Sequence, residues 1–541
     1  MLTFKKINHH LIHNQFLAGL VVFLISLAVF SYLQFYNGIA DPDAYYHVKI
    51  TQLMSQRGLI TDFPWMQFST WKEGFVDHHF LYHFLMIPFV NFLPPLIGGK
   101  VFQIILCSLA FLAFYHLLKK IGVKYSFYFT IFLFLCPTLL FRIDLVKAQP
   151  LSLIILFIGL SFIFQKKYFC LFLTSLIYVL SYGGWILLPL AAVIMAGVRA
   201  LNDGWLAGGQ EKISHPDWLK KFIFNSCRLF FTRENLLLIF SSAAGAAAGL
   251  IINPFFPQNI NFYWVHIFKI GLINYQNKIN VGGEWYPYTF WQLLQNALAP
   301  ILLCVLFLPI LLRYFKKAGL ECKFFLAFFL FFLLLTLKSQ RNIEYFVPLA
   351  TALGACSANL FWQNAEAKND LNKIQPKLKS ILPDSGWPKK LFIASCIIIV
   401  AVVFSFSLIT TKRALVDSGT SYTLYKGASD YLKSHSQAGD IVFNGNWSDF
   451  PMLFYNNDRN YYIIGLDPTF MYLYDKKLQQ KMVDITLGKR YDEAYGIIKN
   501  ELHAKYIQAA AQNKEFKSIL DNNFRFKKVY EDREGAVYSV L

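Results

Sequence analysis

Charged residues are scarce in this sequence: Asp, Glu, Lys and Arg make up only 15% of its 541 residues. Soluble proteins have about 25% charged residues, so an ordinary soluble globular enzyme is excluded. Hydrophobic residues instead make up 56% of the chain and include 55 phenylalanines. The net charge of +19 would favour nucleic acid as the partner of a soluble protein. In a membrane protein, basic cytoplasmic loops explain such a charge, so we expect no nucleic-acid partner.

Patterned cysteines are also lacking. The eight cysteines include no Cys-x-x-Cys pair, and none follows Cys396. This spacing argues against both a disulfide framework and a zinc site. Long apolar runs are the dominant feature, and about 20 apolar residues suffice to cross a membrane. They predict about eleven spans, near residues 16–37, 98–118, 126–141, 150–165, 169–183, 185–200, 236–253, 297–314, 323–338, 343–362 and 391–410.

Basic residues between these segments predict the orientation. With a cytoplasmic N-terminus and a retained first helix, the even-numbered gaps are cytoplasmic, and these gaps are rich in Lys and Arg, as the positive-inside rule requires. The basic residues lie at 119–120, 166–167, 199–233, 313–317 and 368–390. We therefore predict a multi-pass protein of the cell (inner or plasma) membrane whose C-terminal domain is extracytoplasmic.

Three sizeable segments then lie outside: the loops 38–97 and 254–296, and the tail. Residues 1–410 are predicted to form a membrane domain and residues 411–541 a soluble domain. The tail alternates a helical pattern at Tyr422–Ser434 with short apolar runs at Asp440–Phe443 and Tyr461–Ile464. This alternation predicts a small α/β domain. The expected fold is thus a multi-pass α-helical membrane protein with a small C-terminal α/β domain.

Several polar side chains fall on the predicted outer side. Carboxylates with oxygen or imidazole neighbours suit Mg²⁺ or Mn²⁺, and arginine grips phosphate with two parallel hydrogen bonds. The pair Asp41 and Asp43 follows the first span directly. The other candidates are His47, Lys49, Asp77, His78, Arg142, Asp144, Glu284, Arg341, Trp447 and Asp449.

Structural interpretations stay open for these residues. The segment Asp41-Pro42-Asp43 can simply cap a surface helix that begins at Ala44. Asp144 can form a structural ion pair with Arg142, and Glu284 can be an ordinary loop acid. Arg341 can be a membrane-interface anchor, and Asp449 a turn residue. Their shared location on one side favours a common site.

The segment Asp43-Ala44-Tyr45-Tyr46-His47-Val48-Lys49 resembles the first-loop motif Asp-Pro-Tyr-Tyr-His-Tyr-Arg of the oligosaccharyltransferase catalytic subunit. That family belongs to the GT-C superfamily of membrane glycosyltransferases, which use lipid-linked sugar donors. The resemblance implies that Asp43 is the catalytic, metal-binding acid. A second register, which aligns Asp41-Pro42, would give this role to Asp41. The Tyr-Tyr-His that follows favours Asp43.

Two further motifs resemble the family with departures. Val281 to Pro287 is similar to its Ser-Val-Ser-Glu loop, which implies that Glu284 contacts the acceptor. Asp144-Leu145-Val146 keeps only the first acid of the family's Asp-Asn-Glu, so one metal ligand is either missing or supplied by Asp77 or His78. Trp447-Ser448-Asp449 resembles the Trp-Trp-Asp of the acceptor-reading tail motif but lacks the second tryptophan.

The resemblance implies transfer of a sugar or oligosaccharide from a polyprenyl-(pyro)phosphate donor to a protein, lipid or glycan acceptor on the extracytoplasmic face. The expected roles are catalysis by Asp43 and Glu284, and acceptor binding by Glu284, Trp447 and Asp449. A divalent metal, Mg²⁺ or Mn²⁺, would be held by Asp43, Asp144, Asp77 and His78. The donor phosphate would be held by Arg341, Lys49 and His47.

Two other functions stay open. A GT-C enzyme that moves one monosaccharide to a lipid, a polysaccharide or a Ser/Thr side chain would tolerate the altered tail motif. A lipid or solute transporter would place ionisable groups near the bilayer midplane and often shows internal repeats. Here the acids lie at the ends of spans, which disfavours the transporter.

Overall fold

Helices, many of them long and apolar, make up most of the described residues up to Asp417. The computed structural model describes residues 14–72, 74–208, 215–363 and 387–541. The helices of this part are α1 (Gln15–Gln34), α2 (Asp43–Arg57), α3 (Phe80–Phe92), α4 (Pro95–Lys120), α5 (Ser126–Phe132), α6 (Pro137–Asp144), α7 (Gln149–Phe164), α8 (Tyr168–Ser181), α9 (Leu187–Gly208), α10 (His215–Phe230), α11 (Arg233–Ile252), α12 (Gln258–Trp264), α13 (Phe290–Asn296), α14 (Leu298–Arg313), α15 (Leu320–Lys338), α16 (Ile343–Gln363) and α17 (Trp387–Asp417).

Each of the eleven predicted spans lies on one of these helices or on a bent pair of them. Within the described ranges, seven helices are long and apolar enough to cross a membrane, or nine if each bent pair is one span. The bent pairs are 126–135 with α6, at 85°, and α13 with α14, at 97°. Pro137 explains the first bend, because a residue that precedes proline disfavours helical geometry. The segments near 150–165 and 169–183 form the shorter helices α7 and α8. The protein is thus a multi-pass membrane protein.

Small residues and buried faces hold the helices together. Helix α11 packs along α8, where Gly245 lies against the backbone carbonyl of Phe172 so closely that a Cβ could not fit. Small residues at such crossings are the usual way for membrane helices to approach. Helix α16 lies at the centre, with every side chain from Ile343 to Leu360 buried. It contacts α14 and α15 and so positions the site described below.

The tail forms a five-stranded mixed sheet with helices around it. The strand order is β2-β1-β3-β5-β4, with β1 parallel to β2 and β3, and β5 antiparallel to β3 and β4. The predicted α/β character of this segment is confirmed. Its elements are α18 (Lys426–His435), β1 (Ile441–Asn444), α19 (Phe450–Asn456), β2 (Tyr461–Tyr462), α20 (Pro468–Tyr474), α21 (Lys476–Thr486), α22 (Ala494–Gly496), β3 (Tyr506–Ala510), α23 (Lys514–Asp521), β4 (Phe526–Glu531) and β5 (Gly535–Val540).

The loop 38–97 packs directly on the tail. Met66 forms a parallel bridge with Tyr462 at the β2 edge of the sheet. The Tyr462 amide donates to the Trp65 carbonyl at 2.8 Å, and the Gln67 amide donates to the Tyr462 carbonyl at 2.9 Å. The rings of Trp65 and Phe454 lie 4.9 Å apart. Helix α2 also packs against α19, so the segment that carries Asp43 lies between the membrane helices and the tail.

Candidate functional site

A cavity of about 400 Å³ lies where the first loop, the α6–α7 connection, the 281–285 loop and the tail meet. Small-molecule sites typically occupy about 300–1,000 Å³, so the cavity is large enough for a sugar phosphate. Apolar side chains of Phe141, Leu145 and Ile270 line part of its wall. The charged residues that line it are Asp41, Asp43, Arg142, Lys147, Glu284, Arg341 and Asp467.

Asp41 and Asp43 lie on one wall of the cavity and share one lysine. Lys147 Nζ lies 2.9 Å from Asp41 Oδ2 and 2.8 Å from Asp43 Oδ2. Asp43 is the first residue of α2, and its amide donates to Asp41 Oδ1 at 2.9 Å. Asp41 therefore has two roles, since one oxygen orders the start of the helix and the other binds the lysine. The capping interpretation and the site interpretation are compatible.

The electrostatic balance at Asp43 differs from that of an exposed aspartate. Burial and the nearby Asp41 charge raise the pKa of Asp43 to about 6, although Lys147 opposes this rise. Burial alone would lower the pKa of Lys147, but Asp41 and Asp43 raise it above its usual value. The lysine is therefore charged at neutral pH. The Asp43 carboxylate is mostly ionised there, with a proton affinity suited to a general base.

Glu284 lies opposite, held by two arginines. Its Oε2 accepts from Arg142 Nη1 at 2.5 Å, and its Oε1 accepts from Arg341 Nη1 at 3.2 Å. Burial would raise the pKa of Glu284, but Arg142 and Arg341 lower it well below the usual range. Ser339 Oγ donates to the Glu284 carbonyl at 3.0 Å, which fixes the Gly283–Trp285 turn against the start of α16. Glu284 is consequently a permanent anion.

Both arginines have further partners that hold them in place. Arg142 Nη2 lies 3.3 Å from Glu344 Oε2 on α16, and the Glu344 side chain is fully buried. Arg341 Nη2 donates to Tyr182 Oη at 3.1 Å, and its guanidinium lies over the Trp285 ring. The planar guanidinium groups are thus oriented toward the cavity, which suits them to a phosphate.

A buried chain of hydrogen bonds leads away from His47. Its Nδ1 lies 2.8 Å from His83 Nε2, and His83 Nδ1 lies 2.7 Å from Asp77 Oδ2. Because the carboxylate must accept, His83 donates from Nδ1 and accepts at Nε2, so His47 donates from Nδ1. Burial lowers the pKa of His47 well below its usual value. Its Nε2 is therefore an acceptor, which suits a sugar hydroxyl better than a phosphate.

Three more histidines line or border the cavity near this chain. The rings of His78 and His79 lie 3.8 Å apart, and those of His78 and His266 lie 4.9 Å apart. Burial lowers the pKa of all three and brings that of His266 to about 3. This wall is consequently neutral and aromatic, and the charge of the cavity comes from its carboxylates, arginines and lysine.

The structure places Asp144 away from the cavity. Its side chain is fully buried and interacts electrostatically with Lys100 on α4, and its carbonyl accepts from Gln34. Arg142 and Asp144 lie two residues apart on α6, and residues at that spacing point to opposite faces of a helix. Because Arg142 lines the cavity, Asp144 cannot. The predicted grouping of Asp144 with Asp43 is not formed.

Two other predicted residues also lie outside the cavity. Lys49 follows Asp43 by six residues on α2, and its Nζ lies 3.3 Å from Asp458 Oδ1 in the tail. Asp449 is buried and accepts from Tyr425 Oη at 3.2 Å, and burial raises its pKa to about 7. Trp447, in contrast, lines the cavity beside Gly282. Of the tail motif, only its tryptophan and Ser448 face the site.

The predicted metal ligands do not fit a divalent ion together. Asp43 lines the cavity with Lys147 against it, Asp77 is bound by His83, and Asp144 faces α4. His78 lines the cavity without a carboxylate partner among the described residues. Over the described part of the chain, no group of three or more His, Cys, Asp or Glu side chains could hold a metal ion. The cofactor stays a prediction of the resemblance, and its predicted ligand set is not assembled.

The sequence interpretation missed Lys147 and Glu344, and it assigned no role to Arg142. The sequence held a signal for these residues, because Arg142-Ile143-Asp144-Leu145-Val146-Lys147 places two cations at the end of an apolar segment. Charged residues at such a place are functional candidates by default.

Comparisons with known proteins define the class of fold. No protein-family model matches the chain, and no curated protein matches it in sequence. Among solved structures, it is similar to archaeal oligosaccharyltransferase AglB from Archaeoglobus fulgidus in complex with an inhibitory peptide and a dolichol-phosphate. The TM-score is 0.61 with 13% identity, over 97% of this chain and 74% of that chain. An apo oligosaccharyltransferase from the same organism matches with a TM-score of 0.60 and 14% identity, over 91% of this chain and 69% of that chain.

A second kind of glycosyltransferase has a similar structure. ArnT from Cupriavidus metallidurans, in the apo state, matches with a TM-score of 0.53 and 12% identity, over 96% of this chain and 97% of that chain. These proteins are GT-C glycosyltransferases. At such low identity the likeness defines the fold alone. The chain has the GT-C fold, as the first-loop motif predicted.

Proposed function

We propose that this protein is a membrane glycosyltransferase that transfers a sugar from a polyprenyl-(pyro)phosphate donor to an acceptor on the extracytoplasmic face. The proposal rests on one observation. In a GT-C fold, an aspartate pair faces an Arg–Glu–Arg cluster across one cavity at the junction of membrane helices and tail. The basic gaps between the spans support a cytoplasmic N-terminus and an extracytoplasmic site.

The donor phosphate would bind near Arg341. Its guanidinium carries donors in a fixed fork that matches phosphate geometry, and Glu284 and Tyr182 hold it in place. Arg142 adds a second guanidinium on the same side. The apolar wall that includes Phe141 and Leu145 suits the first units of a polyprenyl chain. Binding by Lys49 is not supported, because that lysine is paired with Asp458.

The reaction would depend on Asp43 as a general base. As the acceptor attacks the sugar C1, its proton passes to the Asp43 carboxylate, and the bond from C1 to the phosphate oxygen breaks with its electron pair on that oxygen. Arg341 stabilises this charge, an electrostatic contribution that is often the largest in catalysis. Glu284 orients the two arginines and contacts the acceptor, and His47 Nε2 accepts from a sugar hydroxyl.

The acceptor would lie against the tail. Trp447 offers an aromatic surface beside Gly282, and aromatic faces pack well against sugar rings and peptide side chains. Asp449 is turned away from the cavity, so it is unsuited to direct acceptor contact. This favours, as the second candidate, a monosaccharide transferase that does not read a peptide sequence.

A reconstituted assay tests the proposal. The full-length protein in lipid nanodiscs is incubated with synthetic polyprenyl-phosphate and polyprenyl-pyrophosphate sugars, separately, with a membrane extract as the acceptor source. We expect the labelled sugar to move from one of the two donor classes to an acceptor. The sugar-free polyprenyl phosphate should inhibit this transfer by competing with the donor. The proposal is contradicted if both transfer and donor hydrolysis are absent with both donor classes.

The variant Asp144→Asn is expected to keep its activity. Asp144 lies on the face of α6 that points away from the cavity, and Asn preserves its size. We expect transfer to fall by less than about tenfold, well below the about 10²–10⁴-fold contribution of a positioned catalytic acid or base. Donor turnover by the purified variant measures this. If the folded Asp144→Asn protein loses as much activity as an Asp43 variant, Asp144 takes part in the site and its placement here is wrong.

The rate of transfer is expected to fall in acid because of Asp43. Its pKa is raised to about 6, so below that pH the carboxylate takes up a proton and ceases to act as a base. The kcat/KM should then fall about tenfold per pH unit. Since Asp41 raises the pKa of Asp43, the variant Asp41→Asn should lower that pKa. The acid-side fall in kcat/KM should then begin at a lower pH. A profile that is flat down to pH 4 would exclude Asp43 as the base.

A further inference from the structure

Lys147 occupies the place between two carboxylates that a divalent metal would take. Its Nζ is 2.9 Å from Asp41 Oδ2 and 2.8 Å from Asp43 Oδ2. These are distances of charge-assisted hydrogen bonds, and a bridging Mg²⁺ would need oxygens at about 2.0–2.1 Å. The lysine side chain is 12% exposed and the two aspartates are 19% and 33% exposed. The ammonium is therefore partly removed from water and fixed by both acids.

The other acids near this pair are already engaged. Mg²⁺ prefers near-octahedral oxygen coordination. Of the other acids that line the cavity, Glu284 is neutralised by Arg142 and Arg341, and Asp467 Oδ1 accepts from the Thr469 amide at 2.7 Å. Asp144 faces the opposite side of α6. A metal that bound Asp41 and Asp43 would have to displace the lysine and leave its charge buried without a partner, which is strongly unfavourable.

We propose that the Lys147 ammonium takes the role that the family resemblance gives to a divalent metal, so that transfer proceeds without a bound metal ion. This rests on the proposed function. An ammonium has three N–H donors; Asp41 and Asp43 take two, and the third serves an oxygen of the donor phosphate. Lys147 is thereby a catalytic residue that fixes both acids and stabilises the leaving phosphate.

The step balances without an ion. The acceptor forms its bond to the sugar C1 and gives its proton to the Asp43 carboxylate. The bond between C1 and the phosphate oxygen breaks, and its electron pair stays on that oxygen beside Lys147 and Arg341. Lys147 remains protonated throughout, so the products are the glycosylated acceptor, the free polyprenyl phosphate or pyrophosphate and a protonated Asp43.

Two measurements on the full-length wild-type protein in nanodiscs test this. In the first, transfer is measured in excess EDTA and again after addition of Mn²⁺, and we expect equal rates. In the second, Mn²⁺ binding is titrated by electron paramagnetic resonance without any donor, and we expect no stoichiometric site. Transfer that requires Mn²⁺ would overturn the proposal, and so would one tightly bound Mn²⁺ per chain that Asp43→Asn removes.

The second measurement separates the two proposals. If no donor supports transfer at all, the proposed function fails, while the Mn²⁺ titration still decides whether Lys147 excludes a metal. The variant Lys147→Met should lower transfer by about 10²–10³-fold, as expected for loss of a donor to a developing charge. It should also gain a Mn²⁺ site, because two carboxylates are freed. A Lys147→Met protein with full activity would overturn the proposal.

A matched control is available in the tail. Lys505 Nζ pairs with Asp440 at 2.7 Å, and its side chain is 60% exposed. Lys505→Met removes one lysine–carboxylate pair on the same side of the protein without touching the cavity. We expect it to leave both transfer and Mn²⁺ binding as in wild type. If Lys147→Met does not fold, as judged by gel filtration, the two wild-type measurements decide the question alone.

Discussion

Asp43→Asn is expected to abolish measurable sugar transfer. The substitution keeps the size of the side chain and removes both its charge and its ability to accept the acceptor proton. A positioned general base contributes about 10²–10⁴-fold to the rate. Loss of the salt bridge to Lys147 should add to this, because the lysine is then held by Asp41 alone. The measurement is single-turnover transfer from the labelled donor.

The fold should survive this change. Asp43 begins α2, but its own carboxylate makes no hydrogen bond to the helix backbone. The hydrogen bond from the Asp43 backbone amide to Asp41 Oδ1 is retained in the variant. The control is Asp430→Asn, which alters an exposed surface pair with Lys426 and should leave transfer unchanged. If Asp43→Asn turns over donor at the wild-type rate, Asp43 is not the base, and the alternative register through Asp41 becomes the one to test.

Arg142→Met is expected to destabilise the protein as well as inactivate it. Arg142 bridges Glu284 and Glu344, and Glu344 is fully buried. Removal of one partner from a buried ion pair costs about 3–5 kcal/mol, because the remaining charge has no compensation. We expect a clear fall in the midpoint of thermal unfolding in detergent, followed by circular dichroism, together with loss of transfer.

A second substitution shows whether charge is the cause. In the double variant Arg142→Met/Glu344→Gln, the buried carboxylate that lost its partner is also neutralised, so part of the stability should return while activity stays lost. The control Arg490→Met removes an arginine that also bridges two carboxylates, Asp484 and Glu493, but on the surface. Exposed ion pairs contribute little to stability, so this variant should unfold close to the wild-type midpoint. Equal destabilisation by both arginine variants would contradict the role of burial.

The sequence predicted the helices well because membrane spans depend on local composition. All eleven predicted segments are helical, and the tail strands at Ile441–Asn444 and Tyr461–Tyr462 overlap the predicted runs at Asp440–Phe443 and Tyr461–Ile464. Composition cannot predict bends, because the angle between α13 and α14 depends on how their flanking loops pack. The number of crossings is therefore less certain from sequence than the positions of the helices.

The site was predicted in part. Asp43, Glu284, Arg341, His47, His78 and Trp447 all line one cavity, although they come from four distant stretches of sequence. Family motifs pointed to some of them, and His78 and Arg341 were predicted as polar residues in a loop or at the end of an apolar segment. Asp144 was misplaced because its position depends on the helical phase of α6, which begins only at Pro137. Lys49 was misplaced because the tail supplies Asp458, a long-range contact that no local pattern reveals.

The pairing of Met66 with Tyr462 has a mechanical consequence. It joins the first loop to the edge of the tail sheet through main-chain hydrogen bonds, while α2 packs on α19. Asp43 and the aromatic wall supplied by the tail are consequently held together in one body. We therefore expect substrates to enter by motion of the 254–296 segment, whose Glu284 turn lines the same cavity. Crosslinks within the joined body would be tolerated during turnover, whereas a crosslink from Gly282 to the tail would arrest it.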